Sequence, residues 1–255
     1  MSEKKTLAIL GLGAFGQLMV KHLSPYVTIV ASDPAPQAAA FAAEHNIPVA
    51  SLKETVKQAD VVVLAVPVPK MEEVLIEIKD SVKPGALVMD VGSVKVYPSQ
   101  WMDTHLPPSV DVICTHPLFG PLGAAKNGTK GLKVVLCPLR GPKVQERATK
   151  ITSFLSEHFG IETMESTPDE HDRELAYVQG LPHLISQVLI NMEPLPRRMM
   201  TPNYNLFLQS IDIVRLDTED LFLAIMRDNP YCRPVREAFF AEAHKLKTFI
   251  EAQGG

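Results

Sequence analysis

The chain has 255 residues, of which 46% are hydrophobic and 21% are charged, and its formal net charge is −4. This length is enough for a large core and for two domains. The acidic balance argues against nucleic acid or an anionic membrane as a partner, and no apolar run is long enough to predict a membrane-spanning helix. The three cysteines are scattered and show no metal-ligand spacing, and no signal peptide is indicated before the first strand. We therefore expect a cytoplasmic protein without a metal site.

The first predicted strand, residues 6–10, leads directly into a glycine-rich loop that is followed by a helix. In this G-x-G-x-x-G pattern the first glycine permits a tight turn and the second lets the backbone approach a pyrophosphate. The third glycine lets the helix pack closely on the strand, and the helix N-terminus offers N–H groups to phosphate oxygens. The loop residues that we predict to bind a cofactor are Gly11, Leu12, Gly13, Ala14, Phe15 and Gly16.

A second apolar strand, residues 27–31, ends close to Asp33, which follows Gly11 by 22 residues. An acidic side chain at this spacing is placed to accept a hydrogen bond from an adenosine ribose. It favours NAD over NADP, because a 2′-phosphate would be repelled and no arginine follows directly; NADP is kept as the alternative. A glycine turn of another α/β fold, with Asp33 as a loop cap, is the competing interpretation.

Strands and helices continue to alternate up to about residue 159, which predicts an α/β fold with a doubly wound sheet. The strand at residues 60–66 stops at Val66 and Pro67, which we expect to lie against the cofactor. The strand at residues 86–91 leads into Gly92 and Ser93, and a further apolar strand ends at His116.

The pattern changes near residue 167, after which little strand signal remains. Helices are predicted over residues 170–189, with a kink at Pro182, and over 204–216, 218–228 and the last apolar stripe. We expect a dinucleotide-binding domain at 1–165 and an all-helical domain at 166–255. The second domain is too short to build a broad core alone, so we expect it to pack against a second subunit.

Ser93 and His116 are the first candidates for chemistry, because the carboxyl ends of parallel strands are where such sheets bind ligands. A hydroxyl beside an imidazole fixes its orientation, which leaves the other ring nitrogen to receive a substrate proton. The competing interpretation is that Ser93 caps a helix and His116 is a satisfied loop histidine.

The helical half adds three further candidates. Gln179 and His183 are spaced i, i+4 on one helix face, which by itself is more often a solvated face. Arg215 stands in a mostly apolar helix and needs a planar carboxylate partner. That partner is either a ligand or a local acid such as Asp212 or Glu219.

Five segments together resemble the prephenate/arogenate dehydrogenase family of tyrosine biosynthesis. In chain order they read G-L-G-A-F-G, D-V-G-S-V-K, T-H-P-L-F-G-P, H-D-R-E-L-A-Y-V-Q-G-L-P-H and I-V-R-L-D-T-E-D-L-F. They span nearly the whole chain, and the last three are much more specific than the glycine pattern.

This resemblance implies a Rossmann-type domain followed by an all-α dimerisation domain, and a homodimer that uses NAD. The implied reaction is oxidative decarboxylation of prephenate to 4-hydroxyphenylpyruvate. By resemblance, His116 accepts the proton of the substrate's ring hydroxyl, and Ser93 orients His116 and touches substrate or nicotinamide. Arg215 would bind a substrate carboxylate, and Gln179 and His183 would line the pocket.

Three alternatives stay open from the sequence. Arogenate, which carries an amino group in place of the side-chain keto group, is the nearest one, and no residue decides between the two substrates. A β-hydroxyacid or imine reductase usually places a catalytic lysine or aspartate in its helical domain. A non-catalytic dinucleotide sensor would bind the cofactor without turning over a cyclohexadienyl compound.

Overall fold

The structure, a computed structural model, describes residues 4–254 and divides into two compact units. The first unit ends at Pro168 and the second begins at Asp169, three residues beyond the boundary expected from the sequence. No helix within residues 4–254 combines the length and the apolar character needed to cross a membrane.

The first unit is built on one sheet of seven strands. They are β1 (Thr6–Leu10), β2 (Thr28–Ser32), β3 (Val61–Leu64), β4 (Leu87–Asp90), β5 (Asp111–Pro117), β6 (Lys133–Arg140) and β7 (Glu162–Glu165). Their order across the sheet is β2-β1-β3-β4-β5-β6-β7. All neighbouring pairs are parallel except β5 and β6, so the carboxyl ends of β1, β3, β4 and β5 meet at one edge.

Seven helices accompany these strands. They are α1 (Ala14–Leu23), α2 (Pro36–Glu44), α3 (Leu52–Lys57), α4 (Val68–Ile78), α5 (Val96–His105), α6 (Pro121–Asn127) and α7 (Val144–Phe159). One face of the sheet packs against α3, α4 and α5, and the other against α1, α2 and α7. Central strands covered on both faces need continuous apolar runs, which explains V-V-V-L in β3. The α/β doubly wound fold predicted from the sequence is confirmed.

All regular elements in the described residues of the second unit are helical. Its elements are α8 (Pro168–Leu175), a π-helical turn (Ala176–Gly180), α9 (Leu181–Asn191), α10 (Pro202–Val214), α11 (Glu219–Met226) and α12 (Cys232–Ala252). Thr218 caps α11, because its side chain accepts a hydrogen bond from the Leu221 N–H.

The local structure differs from the prediction in several places. Residues 168–191 are helical without a break, as expected over 170–189, but residues 176–180 form a π-helical turn directly before Pro182, which lies in the first turn of α9. After β5, residues 118–120 form a short loop before α6 begins at Pro121. β6 runs antiparallel to β5, which alternating strands and helices had not indicated, and β7 was not predicted.

Candidate functional site

The glycine loop after β1 has the geometry that its sequence predicts. Gly11 has a φ of +105°, and a Cβ there would lie 2.5 Å from the Ala65 carbonyl oxygen. A Cβ on Gly16 would lie 2.1 Å from the Gly11 carbonyl oxygen, so only glycine lets α1 approach the loop so closely. A Cβ on Gly13 would meet nothing within 4 Å, which leaves open space over the loop at the start of α1.

Asp33 is tied to this loop through both of its carboxylate oxygens. Oδ2 accepts a hydrogen bond of 2.7 Å from the Leu12 N–H, and Oδ1 accepts one of 2.8 Å from the Ala35 N–H. Each carboxylate oxygen has a second acceptor position, so a ribose hydroxyl can still bind there. Asp33 therefore also holds the glycine loop in place. This is the loop-capping role of the competing interpretation, and it is compatible with ribose binding.

A cleft of about 650 Å³ lies over the loop, a volume typical of cofactor sites. Five of the predicted cofactor residues line it, namely Gly11, Gly13, Asp33, Val66 and Pro67. The open space at Gly13, the start of α1 and the acidic group fit a dinucleotide, with the pyrophosphate against the helix N-terminus.

The remaining loop residues are placed differently. The Leu12 side chain is buried in the core, so only its backbone faces Asp33. Ala14 opens α1. The ring of Phe15 lies 5.9 Å from that of Phe119 and faces a separate apolar cavity of about 270 Å³.

Ser93 follows strand β4, and His116 lies at the carboxyl end of the neighbouring parallel strand β5. Both residues are buried. The Ser93 hydroxyl has no hydrogen-bond partner among the described residues, so the bond predicted from Ser93 to His116 is not formed here. A buried unpaired hydroxyl needs an explanation, and a ligand group is one. The orienting role of Ser93 stays a prediction.

Asp90 and Lys95 form a buried ion pair between these two strand ends, which no motif in the sequence had indicated. Asp90 Oδ1 accepts the Thr115 N–H at 3.0 Å, and Oδ2 accepts the Gly92 N–H at 2.8 Å. Lys95 Nζ donates to Asp90 and, at 2.8 Å, to the Thr115 carbonyl oxygen. The pair therefore holds the residues next to Ser93 and His116. A lysine between apolar residues, five positions after an aspartate at a strand end, was the available signal.

In the second unit, His183 lies between two acceptors. Its Nδ1 is 2.8 Å from the Gln179 carbonyl oxygen, so these two residues are joined through the backbone of Gln179. Its Nε2 lies 3.3 Å from Asp217 Oδ2, a partner that the sequence analysis did not name. His183 therefore connects the start of α9 to the turn that follows α10.

Arg215 follows α10, and its partner is Glu193. The two local acids considered from the sequence were Asp212 and Glu219. The two form a double ion pair, with one hydrogen bond of 2.8 Å from Nη1 to Oε2 and a second from Nη2 to Oε1. Asp212 lies at 4.0 Å, which is too far for a hydrogen bond. The guanidinium lowers the pKa of the Glu193 carboxyl, chiefly through this hydrogen bond, so Glu193 carries a negative charge near neutral pH.

His171 and Asp172 form a further polar pair, in α8. Both are buried, and His171 Nδ1 lies 2.7 Å from Asp172 Oδ1. Asn229 Nδ2 donates to the Asp172 carbonyl oxygen at 2.7 Å, which joins this pair to the segment before α12. The arrangement supports the packing of α8.

Comparison with known proteins agrees with this geometry. Residues 17–160 match the family described as "Prephenate dehydrogenase, nucleotide-binding domain", and residues 167–255 match "Prephenate dehydrogenase, dimerization domain". A probable arogenate/prephenate dehydrogenase of Methanocaldococcus jannaschii is 29% identical over 78% of this chain and 45% of its own length. The chain thus spans less than half of the length of that relative.

A cyclohexadienyl dehydrogenase of Zymomonas mobilis is 29% identical over 100% of this chain and 92% of its own length. In fold, the chain is similar to a crystal structure of a prephenate dehydrogenase from A. aeolicus, with a TM-score of 0.75 and 23% identity. That alignment covers 98% of this chain and 92% of the other, which was crystallised with hydroxyphenyl propionate and NAD+. With both family descriptions matched in order along almost the whole sequence, the chain belongs to the prephenate/arogenate dehydrogenase family.

Proposed function

We propose that this chain catalyses the NAD-dependent oxidative decarboxylation of prephenate to 4-hydroxyphenylpyruvate. The observation that carries the proposal is the position of His116. It is a buried imidazole at the carboxyl end of β5, on the same sheet edge as the glycine loop after β1, in a member of this family. A proton acceptor and a dinucleotide site on one edge are what an alcohol oxidation needs.

The cofactor, when bound, supplies the acceptor for the hydride that leaves C4 of the ring. We assign its binding to the glycine loop, to Asp33 and to the backbone at Val66 and Pro67, which line one cleft. The hydroxyl of Ser93, buried without a partner among the described residues, is available to the nicotinamide, to the substrate or to His116.

His116 takes the proton of the ring hydroxyl as the C4 hydride leaves. The bond from C1 to the ring carboxylate then breaks, CO₂ departs, and its electron pair makes the ring aromatic. The resulting phenolate oxygen takes back the proton from His116, so the reaction needs no net proton from solvent. A histidine suits this exchange because its ordinary pKa lies near neutral pH.

We assign substrate binding to Arg215, Gln179 and His183. Prephenate carries two carboxylates, and the planar guanidinium of Arg215 is suited to hold one of them. A bound carboxylate would share or replace Glu193 at this guanidinium, and both side chains are partly exposed. An exposed ion pair of this kind contributes little stability, so a ligand can exchange with it.

We also propose a homodimer through the helical unit. The family description of residues 167–255 as a dimerization domain supports it, as do large apolar side chains that this unit leaves exposed, including Leu206, Phe207, Ile213 and Phe249. Light scattering of the purified chain should give twice the mass of 28.0 kDa. A monomer at all concentrations would contradict this assignment.

Arogenate is the second candidate substrate. Similar proteins include some that are named arogenate dehydrogenases as well as some named for prephenate. The negative charge of Glu193, next to Arg215, also suits the ammonium group of arogenate.

The test is NADH formation at 340 nm by the purified chain with NAD+, with prephenate and arogenate offered in parallel. Turnover of either compound is the expected result, and the ratio of the two kcat/KM values identifies the preferred substrate. Absence of turnover with intact NAD+ binding would favour the sensor interpretation.

A further inference from the structure

We infer that Glu193 is a specificity-determining residue that favours an amino group over a keto group on the substrate side chain. The inference rests on the proposed function, because it takes Arg215 as the group that holds a substrate carboxylate. The inference concerns the preference of the protein for arogenate or prephenate, which no motif in the sequence indicates.

The position of Glu193 is defined by the backbone as well as by Arg215. Its N–H donates to the Ile190 carbonyl oxygen at 3.2 Å, so the residue continues directly from the end of α9. The backbone of Arg215 is held in the same way, because its N–H donates to the Ile211 carbonyl oxygen at 2.8 Å. Each of the two residues is therefore held by a backbone hydrogen bond within its own chain segment, and the side chains meet in the ion pair.

Glu193 keeps acceptor positions beyond those used by Arg215. The guanidinium is hydrogen-bonded to both carboxylate oxygens, and the positive charge of Arg197 also lowers the pKa of the Glu193 carboxyl. Each carboxylate oxygen has more than one acceptor position, so a further donor can bind while Arg215 remains in place. The side chain of Glu193 is 32% exposed, which keeps it accessible to a ligand.

The chemistry of the two substrates makes this carboxylate discriminating. In both compounds the amino or keto carbon is attached to the side-chain carboxylate, and it is separated from the ring carbon bearing the second carboxylate by one methylene. If Arg215 holds the side-chain carboxylate, the amino or keto group is on the adjoining carbon and comes close to Glu193, which binds the same guanidinium. An ammonium group donates charge-assisted hydrogen bonds to Glu193, whereas a keto oxygen offers only lone pairs to a negative group.

The test is Glu193→Gln, assayed for kcat/KM with arogenate and prephenate at saturating NAD+. Losing the charge should lower the ratio of arogenate to prephenate by about 10- to 100-fold, as expected for a charge-assisted hydrogen bond. Any effect that comes only from releasing Arg215 acts on both substrates and cancels in the ratio.

The matched control is Glu237→Gln. It removes the same charge from another arginine–glutamate pair, because Glu237 accepts from Arg233 at 2.8 Å within α12. The control should leave the substrate ratio unchanged.

Binding provides a readout besides activity. Calorimetry in the presence of NAD+ compares L-tyrosine, which carries the ammonium group, with 3-(4-hydroxyphenyl)propionate, which lacks it. Glu193→Gln should weaken tyrosine relative to the propionate, because any effect of releasing Arg215 acts on both carboxylates and only tyrosine loses the partner of its ammonium group.

The outcomes separate this inference from the proposed function. An active chain whose substrate ratio is the same in Glu193→Gln overturns the inference and leaves the proposed function standing. Equal losses for both substrates mean that Glu193 only supports the fold, which also overturns it. An unmodified chain that turns over neither compound contradicts the proposed function itself.

Discussion

The ammonium group of Lys95 lies buried against the carboxylate of Asp90, and neither side chain is exposed to solvent. Between them they bind the Gly92 N–H and both the N–H and the carbonyl oxygen of Thr115. The loop of Ser93 and the strand end at His116 are therefore joined through one charged pair.

Replacing Lys95 by methionine should lower the free energy of unfolding by about 3–5 kcal/mol, because Asp90 would keep a buried charge without its partner. Urea denaturation measures this. Lys70→Met is the control, since Lys70 pairs with Glu73 at 3.2 Å on the exposed surface of α4 and should change stability by less than about 1 kcal/mol. Equal effects of the two substitutions would mean that the buried pair has no special structural role.

Alanine at Gly16 and at Gly13 should act in different ways. Gly16→Ala places a methyl group 2.1 Å from the Gly11 carbonyl oxygen, so the backbone must shift, and we expect a loss of about 1–3 kcal/mol in stability. Gly13→Ala meets nothing within 4 Å, so the fold should be unaffected while NAD+ binding weakens. Thermal denaturation and NAD+ calorimetry separate the effects. Unchanged affinity in Gly13→Ala would remove this glycine from the cofactor site.

Asp33→Asn tests the cofactor preference. The amide retains an acceptor for a ribose hydroxyl but loses the charge that repels a 2′-phosphate. The ratio of kcat/KM for NADP+ to that for NAD+ should rise by about tenfold, which corresponds to about 1.4 kcal/mol. If the ratio does not move, Asp33 holds only the glycine loop, through the hydrogen bond from the Leu12 N–H.

His116→Asn should lower kcat by about 10²- to 10⁴-fold, the usual contribution of a general base. NAD+ affinity should stay the same, since His116 is not among the residues that line the dinucleotide cleft. His105→Asn serves as the control, because His105 pairs with Glu72 at 3.1 Å between α5 and α4. A His116 variant with wild-type kcat would refute the proposed proton transfer.

Cys232 should be unreactive in the folded protein. Burial, and then the nearby negative charge of Asp172, raise the pKa of its thiol to about 11 from an ordinary value of 9.0. The thiol is therefore protonated at pH 8, and reaction with Ellman's reagent at this residue should need unfolding. Rapid modification of Cys232 in the folded chain would contradict this.

The same shift predicts a pH dependence of stability. The pKa is higher in the folded than in the unfolded state, so this stabilisation is complete below about pH 9 and is lost as pH rises towards 11. Comparing wild type with Cys232→Ala over that range isolates the effect, since the variant should show a smaller decline in the free energy of unfolding. Parallel declines would mean that other groups account for the slope.

Features that depend on neighbours in the chain were predictable. The turn at Gly11, the close packing at Gly16 and the position of Asp33 follow from short spacings, because backbone sterics act locally. That residues 61–64 form a strand followed from their apolar run.

Contacts between distant segments were not predictable in this way. Whether β6 runs parallel or antiparallel to β5 is decided by how the chain returns across the sheet, which no local pattern encodes. The burial of His171 and Asp172 likewise depends on distant segments, since Asn229 donates to the Asp172 carbonyl oxygen across 57 residues.

The sequence by itself determined the two-part architecture, the dinucleotide loop and the family, because these depend on periodicity and on motifs of fixed spacing. Only the tertiary structure decided which charges meet. Asp90 and Lys95 are neighbours in sequence yet act through Thr115 on another strand, and Glu193 reaches Arg215 across 22 residues. A charged side chain binds whichever opposite charge the fold brings within about 4 Å, and that distance is a property of the packed chain.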